Sequence, residues 1–139
     1  MINPDEVILG IDAGETNIGL AFGRNGLVSP LNSVNGKHLN TAINEIMKTV
    51  YYLKANKIVV GLPLSVEGKE TNQSKKIRQF VNTLKISFKR PIEFVSEYET
   101  SQEAAKELIV AGASKKRRRS ADNISAAVIL KRYYTSVSV

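Results

Sequence analysis

The stretch Val7-Ile8-Leu9-Gly10-Ile11-Asp12-Ala13-Gly14 decides the fold. Its first five residues carry no charge, which is typical of a strand covered on both faces, as in a parallel sheet. Residues 12–17 then turn the chain. Open α/β sheets place their ligands at the carboxyl ends of such strands, so Asp12 is the first candidate site residue.

The residues after this turn predict an antiparallel meander. Ile18, Leu20 and Phe22 alternate with small residues, as in a strand of period two. Asn25-Gly26 favours a tight hairpin turn, and a third strand follows over residues 27–34.

The pattern then changes to alternating helices and strands. Apolar spacing predicts helices over 39–53 and around 77–84, and a last helix from 120 or 121 to about 134. Thr100 and Glu103 fit a capping box that begins another helix, over 100–111. Short apolar runs predict strands at 58–61 and 92–95, with a loop over 62–68 after the first of them.

The element order is therefore βββαβαβα, which predicts a single α/β domain over residues 1–139. We expect a five-stranded mixed sheet flanked by helices, with the three parallel strands at its centre.

Composition excludes several classes of protein and site. With 42% hydrophobic and 24% charged residues, the chain is globular rather than disordered. The absence of cysteine excludes disulfides and thiolate zinc sites, and a single histidine argues against a Ser/His triad. We expect a cytoplasmic protein without a membrane partner, because no apolar run is long enough to span a bilayer and residues 1–6 are acidic.

The net charge of +7 is concentrated near the end of the sequence. A dense basic run indicates a polyanionic partner, most commonly nucleic acid, although a solvated basic loop has the same composition. The run consists of Lys115, Lys116, Arg117, Arg118 and Arg119.

Three carboxylates are placed so that they can meet at one edge of the sheet. Asp12 and Glu97 end two parallel strands, and Asp122 begins the last helix. Grouped carboxylates suit Mg²⁺ or Mn²⁺, which support phosphodiester hydrolysis by activating water. Each residue also has an ordinary explanation, as a turn residue, a solvated strand end and a helix cap respectively.

Four stretches of the chain form one pattern: Gly10 to Gly14 through Ile18-Gly19, Val59 to Leu64, Ser96-Glu97-Tyr98 through Glu103-Ala104, and Asp122 through Ala126-Ala127 and Ile129-Leu130. Together they resemble the YqgF/RuvX family, the pre-16S rRNA nucleases also described as Holliday junction resolvase-like proteins. The resemblance implies an RNase H-like fold and a nuclease that uses Mg²⁺ or Mn²⁺, with Asp12, Glu97 and Asp122 as catalytic and metal-binding residues. Precursor 16S rRNA is the substrate it favours, and branched DNA is second.

The chain departs from the family pattern in two places. The turn after Asp12 usually contains a basic residue, whereas here it reads Glu15-Thr16-Asn17. The strand end that usually reads Asp-Glu-Arg is Ser96-Glu97-Tyr98. We expect Thr16 and Asn17 to contact nucleic acid together with the basic run.

Two other classes of protein remain open at this stage. The departures at Ser96 and Tyr98 allow a nucleic-acid-binding module that has lost catalysis. Residues 12–17 also resemble the first phosphate loop of actin-like ATPases, but those enzymes use two such domains. We expect a monomer or a weak homodimer.

Overall fold

The computed structural model describes residues 2–98 and 121–138, without the side chains of Tyr98 and of residues 121–123. The predicted helix over 100–111 lies outside this range. The described ranges contain six strands and three helices: β1 (Val7–Ala13), β2 (Asn17–Arg24), β3 (Leu27–Pro30), β4 (Val34–Asn35), α1 (Leu39–Leu53), β5 (Lys57–Leu64), α2 (Asn72–Ser87), β6 (Ile92–Tyr98) and α3 (Ala121–Val137).

The strands form one mixed sheet in the order β3-β2-β1-β5-β6, and β4 pairs with β2. Strands β1, β5 and β6 run parallel, while β2 pairs antiparallel with β1, β3 and β4. The three parallel strands lie next to one another beside the antiparallel hairpin, as predicted, but the prediction that all three are central is wrong, because β6 is the last strand in the order of the described sheet.

The prediction of five strands is wrong, because the third predicted strand is divided in two. Pro30 has no N–H with which to continue the ladder. The register against β2 changes from Ala21–Pro30 to Ile18–Val34, so residues 31–33 face only two residues of β2. This extra residue is the signature of a β-bulge, and β4 begins after it.

The loop predicted over 62–68 begins too early. Leu62, Pro63 and Leu64 continue β5 and lie opposite Ser96, Glu97 and Tyr98 of β6. A proline is tolerated at position 63 because the pairing of β5 with β1 has already ended, at Val60.

Helices cover both faces of the sheet. Apolar side chains of α1 and α2 pack on one face, and those of α3 pack on the other. Side chains of a strand alternate between the faces, so Leu9, Ile11 and Ala13 face α1 and α2. Ile8 packs with α3, and this alternation places Asp12 on the same face as Ile8. In the described part of the chain no helix has the length and apolarity needed to cross a membrane.

Helix α3 lies unusually close to the backbone of the central strands, because glycines occupy the positions beneath it. A Cβ on Gly10 would stand 2.5 Å from Leu130 Cγ, and a Cβ on Gly61 would collide with the Ile129 side chain. Ile129 and Leu130 are fully buried. The two glycines therefore set the depth at which α3 packs.

A polar network holds the carboxyl-terminal part of α3 against the sheet. Lys57 Nζ donates to Glu93 and to Tyr133 Oη, both at 2.8 Å, and the Tyr133 hydroxyl donates to Glu93. Burial lowers the pKa of the Lys57 ammonium, but the hydrogen bonds to Glu93 and Tyr133 outweigh it and the net pKa is raised. The bond from Lys57 lowers the pKa of Glu93. This network ties α3 to the start of β5.

We predict that Gly10→Ala lowers the free energy of unfolding by about 1 to 3 kcal/mol through overpacking against Leu130. In Gly10→Ala/Leu130→Ala the new methyl group enters the space that Leu130 vacates. The double variant should therefore be less destabilised than the sum of the two single variants. Urea denaturation gives the free energy of unfolding of the wild type, the two single variants and the double variant. Strictly additive changes would contradict the contact between Gly10 and Leu130.

We also predict that Lys57→Met lowers the free energy of unfolding by about 1 kcal/mol near neutral pH, and by less at both pH extremes. The stabilisation by Glu93 is present above its ordinary pKa of 4.5 and disappears as the pH falls through the lowered value. The stabilisation by Lys57 is present below 10.5 and disappears as the pH rises through the raised value. Thermal unfolding at several pH values tests this, with Lys48→Met as control because Lys48 is 74% exposed. A cost that does not change with pH would refute the role of this network.

Candidate functional site

Asp12 lies at the carboxyl end of β1, on the face that α3 covers. The parallel pairing of β1 with β5 ends at Ile11–Val60, and one residue further come Asp12 on β1 and Gly61 on β5. The antiparallel pairing with β2 continues, with Asp12 opposite Gly19. Asp12 is only 9% exposed, so the fold holds a carboxyl group almost out of water at this edge.

Glu97 reaches the same edge from β6. It lies opposite Pro63 and is 2% exposed. Its Oε2 atom is 3.6 Å from the position that a Cβ on Gly61 would take, so the carboxylate leans over β5 toward β1. Adjacent strands are about 4.8 Å apart. Asp12 and Glu97 therefore flank Gly61 on one face of the sheet.

The direction of α3 places its beginning at this edge. Tyr133 contacts Lys57 at the start of β5, whereas Ile129 packs over Gly61 further along the strand. Helix α3 thus runs antiparallel to β5, and Asp122 lies in its first turn. The side chain of Asp122 is outside the described set.

The structure thus brings two of the three predicted carboxylates to one place, and the third lies on a helix that begins on that side. Within residues 2–98 and 121–138, no three His, Cys, Asp or Glu side chains form a metal-binding group. A site shared by Asp12, Glu97 and Asp122 stays a prediction.

Arg132 is a feature of this region that the sequence did not reveal. Its Nε is 3.6 Å from Glu97 Oε1, in an ion pair whose carboxylate side chain is 3% exposed and whose guanidinium side chain is 37% exposed. In the sequence, Arg132 is an arginine one helical turn after the apolar Ile129, and nothing in that pattern identifies its partner. Naming Glu97 as its partner requires the packing of α3 on β6.

The two departures from the family pattern have specific locations. Ser96 is exposed, and strand alternation directs its side chain to the face opposite that of Glu97. Thr16, in the turn after β1, and Asn17, the first residue of β2, are both exposed. Neighbouring Glu15 forms an exposed ion pair of 3.3 Å with Lys76 of α2.

The predicted basic run, Lys115 to Arg119, lies outside the described residues. Its contact with nucleic acid, like that of Thr16 and Asn17, stays a prediction.

Similar proteins are known over nearly the full length of the chain. A protein of Chloroflexus aurantiacus named "Putative pre-16S rRNA nuclease" is 31% identical over 132 residues, which cover 93% of this chain and 86% of the relative. A protein of the same name from Bordetella pertussis is 32% identical and covers 97% of this chain and 98% of its own. A third, from a Sulfurihydrogenibium species, is 36% identical over 94% and 91% of the two chains.

Solved structures share the fold at low sequence identity. Thermus thermophilus RuvC, in a complex with a Holliday junction substrate, superposes with a TM-score of 0.59 at 15% identity, over 96% of this chain and 98% of that chain. The fowlpox virus Holliday junction resolvase gives a TM-score of 0.56 at 12% identity, over 96% and 99%. These likenesses confirm the predicted RNase H-like fold.

The family assignment rests on the sequence. The model of the RuvX family, described as Holliday junction resolvase, matches residues 6–136. That match includes β1, β5, β6 and all of α3 except its last residue, the elements that form the candidate site. The chain belongs to the RuvX family.

Proposed function

We propose that this protein is a metal-dependent nuclease that hydrolyses phosphodiester bonds in structured nucleic acid, with precursor 16S rRNA in the cytoplasm as its substrate. The observation that carries the proposal is the burial of Asp12 and Glu97 beside Gly61, on the face under α3. The names of the three relatives favour precursor rRNA over other nucleic acids.

The donor set fits a hard divalent cation. Asp12 and Glu97 bring two carboxylates, which are hard oxygen donors, to one strand edge. Asp12, Glu97 and Asp122 would hold Mg²⁺ or Mn²⁺, ions that prefer carboxylate oxygens. When bound, the metal would supply activation of water and stabilisation of the leaving oxygen.

The protein's own side chains have distinct roles in this proposal. Asp12 is the central ligand, because it lies on the innermost of the strands that carry candidate ligands. Arg132 positions the Glu97 carboxylate through their ion pair. Thr16, Asn17 and the run Lys115 to Arg119 hold phosphates and contribute little base specificity.

A second candidate substrate is a four-way DNA junction. The description of the family model and the fold shared with the junction resolvases favour it. Cleavage of precursor rRNA termini and of four-way junctions under the same conditions, in Mg²⁺ and in Mn²⁺, decides between the two substrates.

Loss of catalysis is the remaining alternative, in which the chain binds nucleic acid without cleaving it. The departures at Ser96 and Tyr98 motivate it. The location of Ser96 on the other face and the guanidinium of Arg132 near Glu97 favour a retained active site.

We predict that Asp12→Asn reduces metal-dependent cleavage about 100-fold or more, because it removes a charged ligand rather than a supporting group. It should also remove most of the rise in melting temperature that millimolar Mn²⁺ gives the wild type, since a cation that binds only the folded state stabilises it by mass action. Asp5→Asn is the matched control, because Asp5 is exposed. Equal cleavage and equal metal response in the two variants would refute the proposed site.

We predict that Arg132→Ala lowers the free energy of unfolding in EDTA by about 1 to 2 kcal/mol. This is less than for a fully buried pair, because Arg132 is partly exposed. The variant should also change the Mn²⁺ concentration needed for half-maximal cleavage, and Arg132→Lys should restore part of both properties. Lys131→Ala, which removes an exposed neighbouring charge, is the control. If Arg132→Ala behaves like this control in both measurements, Arg132 does not position Glu97.

A further inference from the structure

A cleft of about 430 Å³ opens at the edge of the sheet opposite Asp12 and Glu97, between the carboxyl ends of α1 and α2. Three cationic side chains line it: Lys54, Lys89 and Arg90. No carboxylate is among its lining residues in the described part of the chain. We propose that this cleft is a second nucleic-acid contact, which binds the phosphates and one base of a single-stranded flank of the RNA substrate.

The base would stack on Tyr51, which lines the cleft and is 72% exposed. An exposed tyrosine beside cations combines the two elements that hold single-stranded nucleic acid: an aromatic face for a base and positive charge for its phosphates. The buried Phe88 and Val50 form the apolar part of the lining. A small inorganic anion would use the cations but not the tyrosine.

The backbone at Lys54 is a second, independent observation. Lys54 has φ 57° and ψ 47°, in the left-handed region. Its N–H donates to Tyr51 O, and the N–H of Ala55 donates to Val50 O, which together form a Schellman motif. Glycine is the usual residue at this position, because it has no Cβ to strain the backbone. The sequence thus places a cation at the mouth of the cleft where glycine would cap the helix with less strain.

Charges near helix ends have a simpler explanation that must be separated from this one. Cations stabilise the carboxyl end of a helix through its dipole, so Lys54 and Lys89 would contribute to stability without any ligand. That explanation does not involve Tyr51. The dipole explanation also predicts that Lys54→Gly raises the free energy of unfolding by no more than the backbone strain it removes. It predicts that the substitution leaves RNA binding unaffected.

The inference rests on the proposed function, since the RNA it invokes is the nuclease substrate. Gly61, which Asp12 and Glu97 flank, lies four residues along β5 from Lys57, so the strand separates the two edges by roughly 13 Å at about 3.3 Å per residue. A folded RNA with a single-stranded flank covers that distance. Its cleavage site would lie at Asp12 and Glu97 while its flank lies in the cleft.

The test measures RNA binding in EDTA, so that binding is separated from cleavage. The probe is a fluorescently labelled RNA hairpin with single-stranded flanks, titrated with the full-length protein at several salt concentrations. The cleft variant is Lys89→Ala/Arg90→Ala. Its control, Lys48→Ala/Lys131→Ala, removes the same charge from exposed positions outside the cleft.

We expect the cleft variant to bind more weakly than the control and to reduce the salt slope of binding by about 1.4, from two single-strand phosphate contacts. Tyr51→Ala should weaken binding about fivefold or more with an unchanged salt slope, because it removes stacking rather than charge. Lys54→Gly should raise the melting temperature and yet weaken RNA binding, a combination that a purely structural role does not produce.

Two results would overturn the inference. One is RNA binding by the cleft variant and by Tyr51→Ala that equals binding by the control. The other is competition by inorganic phosphate that matches RNA at equal phosphate concentration, which would make the cleft a small-anion site. Failure of the proposed function is a separate result, namely no cleavage by the wild type in Mg²⁺ or Mn²⁺ while the effects on binding persist.

Discussion

Helix α3 packs directly on the backbone of β1 and β5, because Gly10 and Gly61 leave no side chain between them and Leu130 and Ile129. This contact fixes the depth and direction of the helix, and the network around Lys57 fixes its far end. From that position Arg132 reaches Glu97, and the first turn, with Asp122, lies at the carboxyl edge of the parallel strands. The proposed active site therefore depends on two positions that cannot carry a side chain.

The same topology places acidic side chains at one edge of the sheet and basic side chains at the other. Parallel strands put their carboxyl ends together, where Asp12 and Glu97 are buried under α3. The carboxyl ends of α1 and α2 lie together at the other edge, where the lining of the cleft is cationic. The acidic edge suits a divalent cation, and the basic edge suits phosphates. In the proposed function, one nucleic-acid chain therefore contacts both edges.

Much of the fold was predictable because its signals are local. The apolar run of β1, the Asn-Gly turn and the helical spacing of α1 each depend on neighbours in sequence. The division of β3 from β4 and the continuation of β5 through Pro63 were missed, because both depend on register against another strand. For the site, strand ends identified Asp12 and Glu97 as candidates. Arg132 could not be assigned a role, since its partner is on another element.

Anomalous diffraction from crystals soaked in Mn²⁺ is the most direct test of the central claim, that carboxylates from β1, β6 and α3 share one metal site. We expect an anomalous peak at the carboxyl edge beneath α3, at about 2.1 Å from an oxygen of Asp12, with Glu97 and Asp122 as further ligands or hydrogen-bonded to its waters. Asp12→Asn crystals should lose the peak. Wild-type crystals with no peak there, or with the Asp122 carboxylate directed away from Asp12 and Glu97, would contradict a shared metal site.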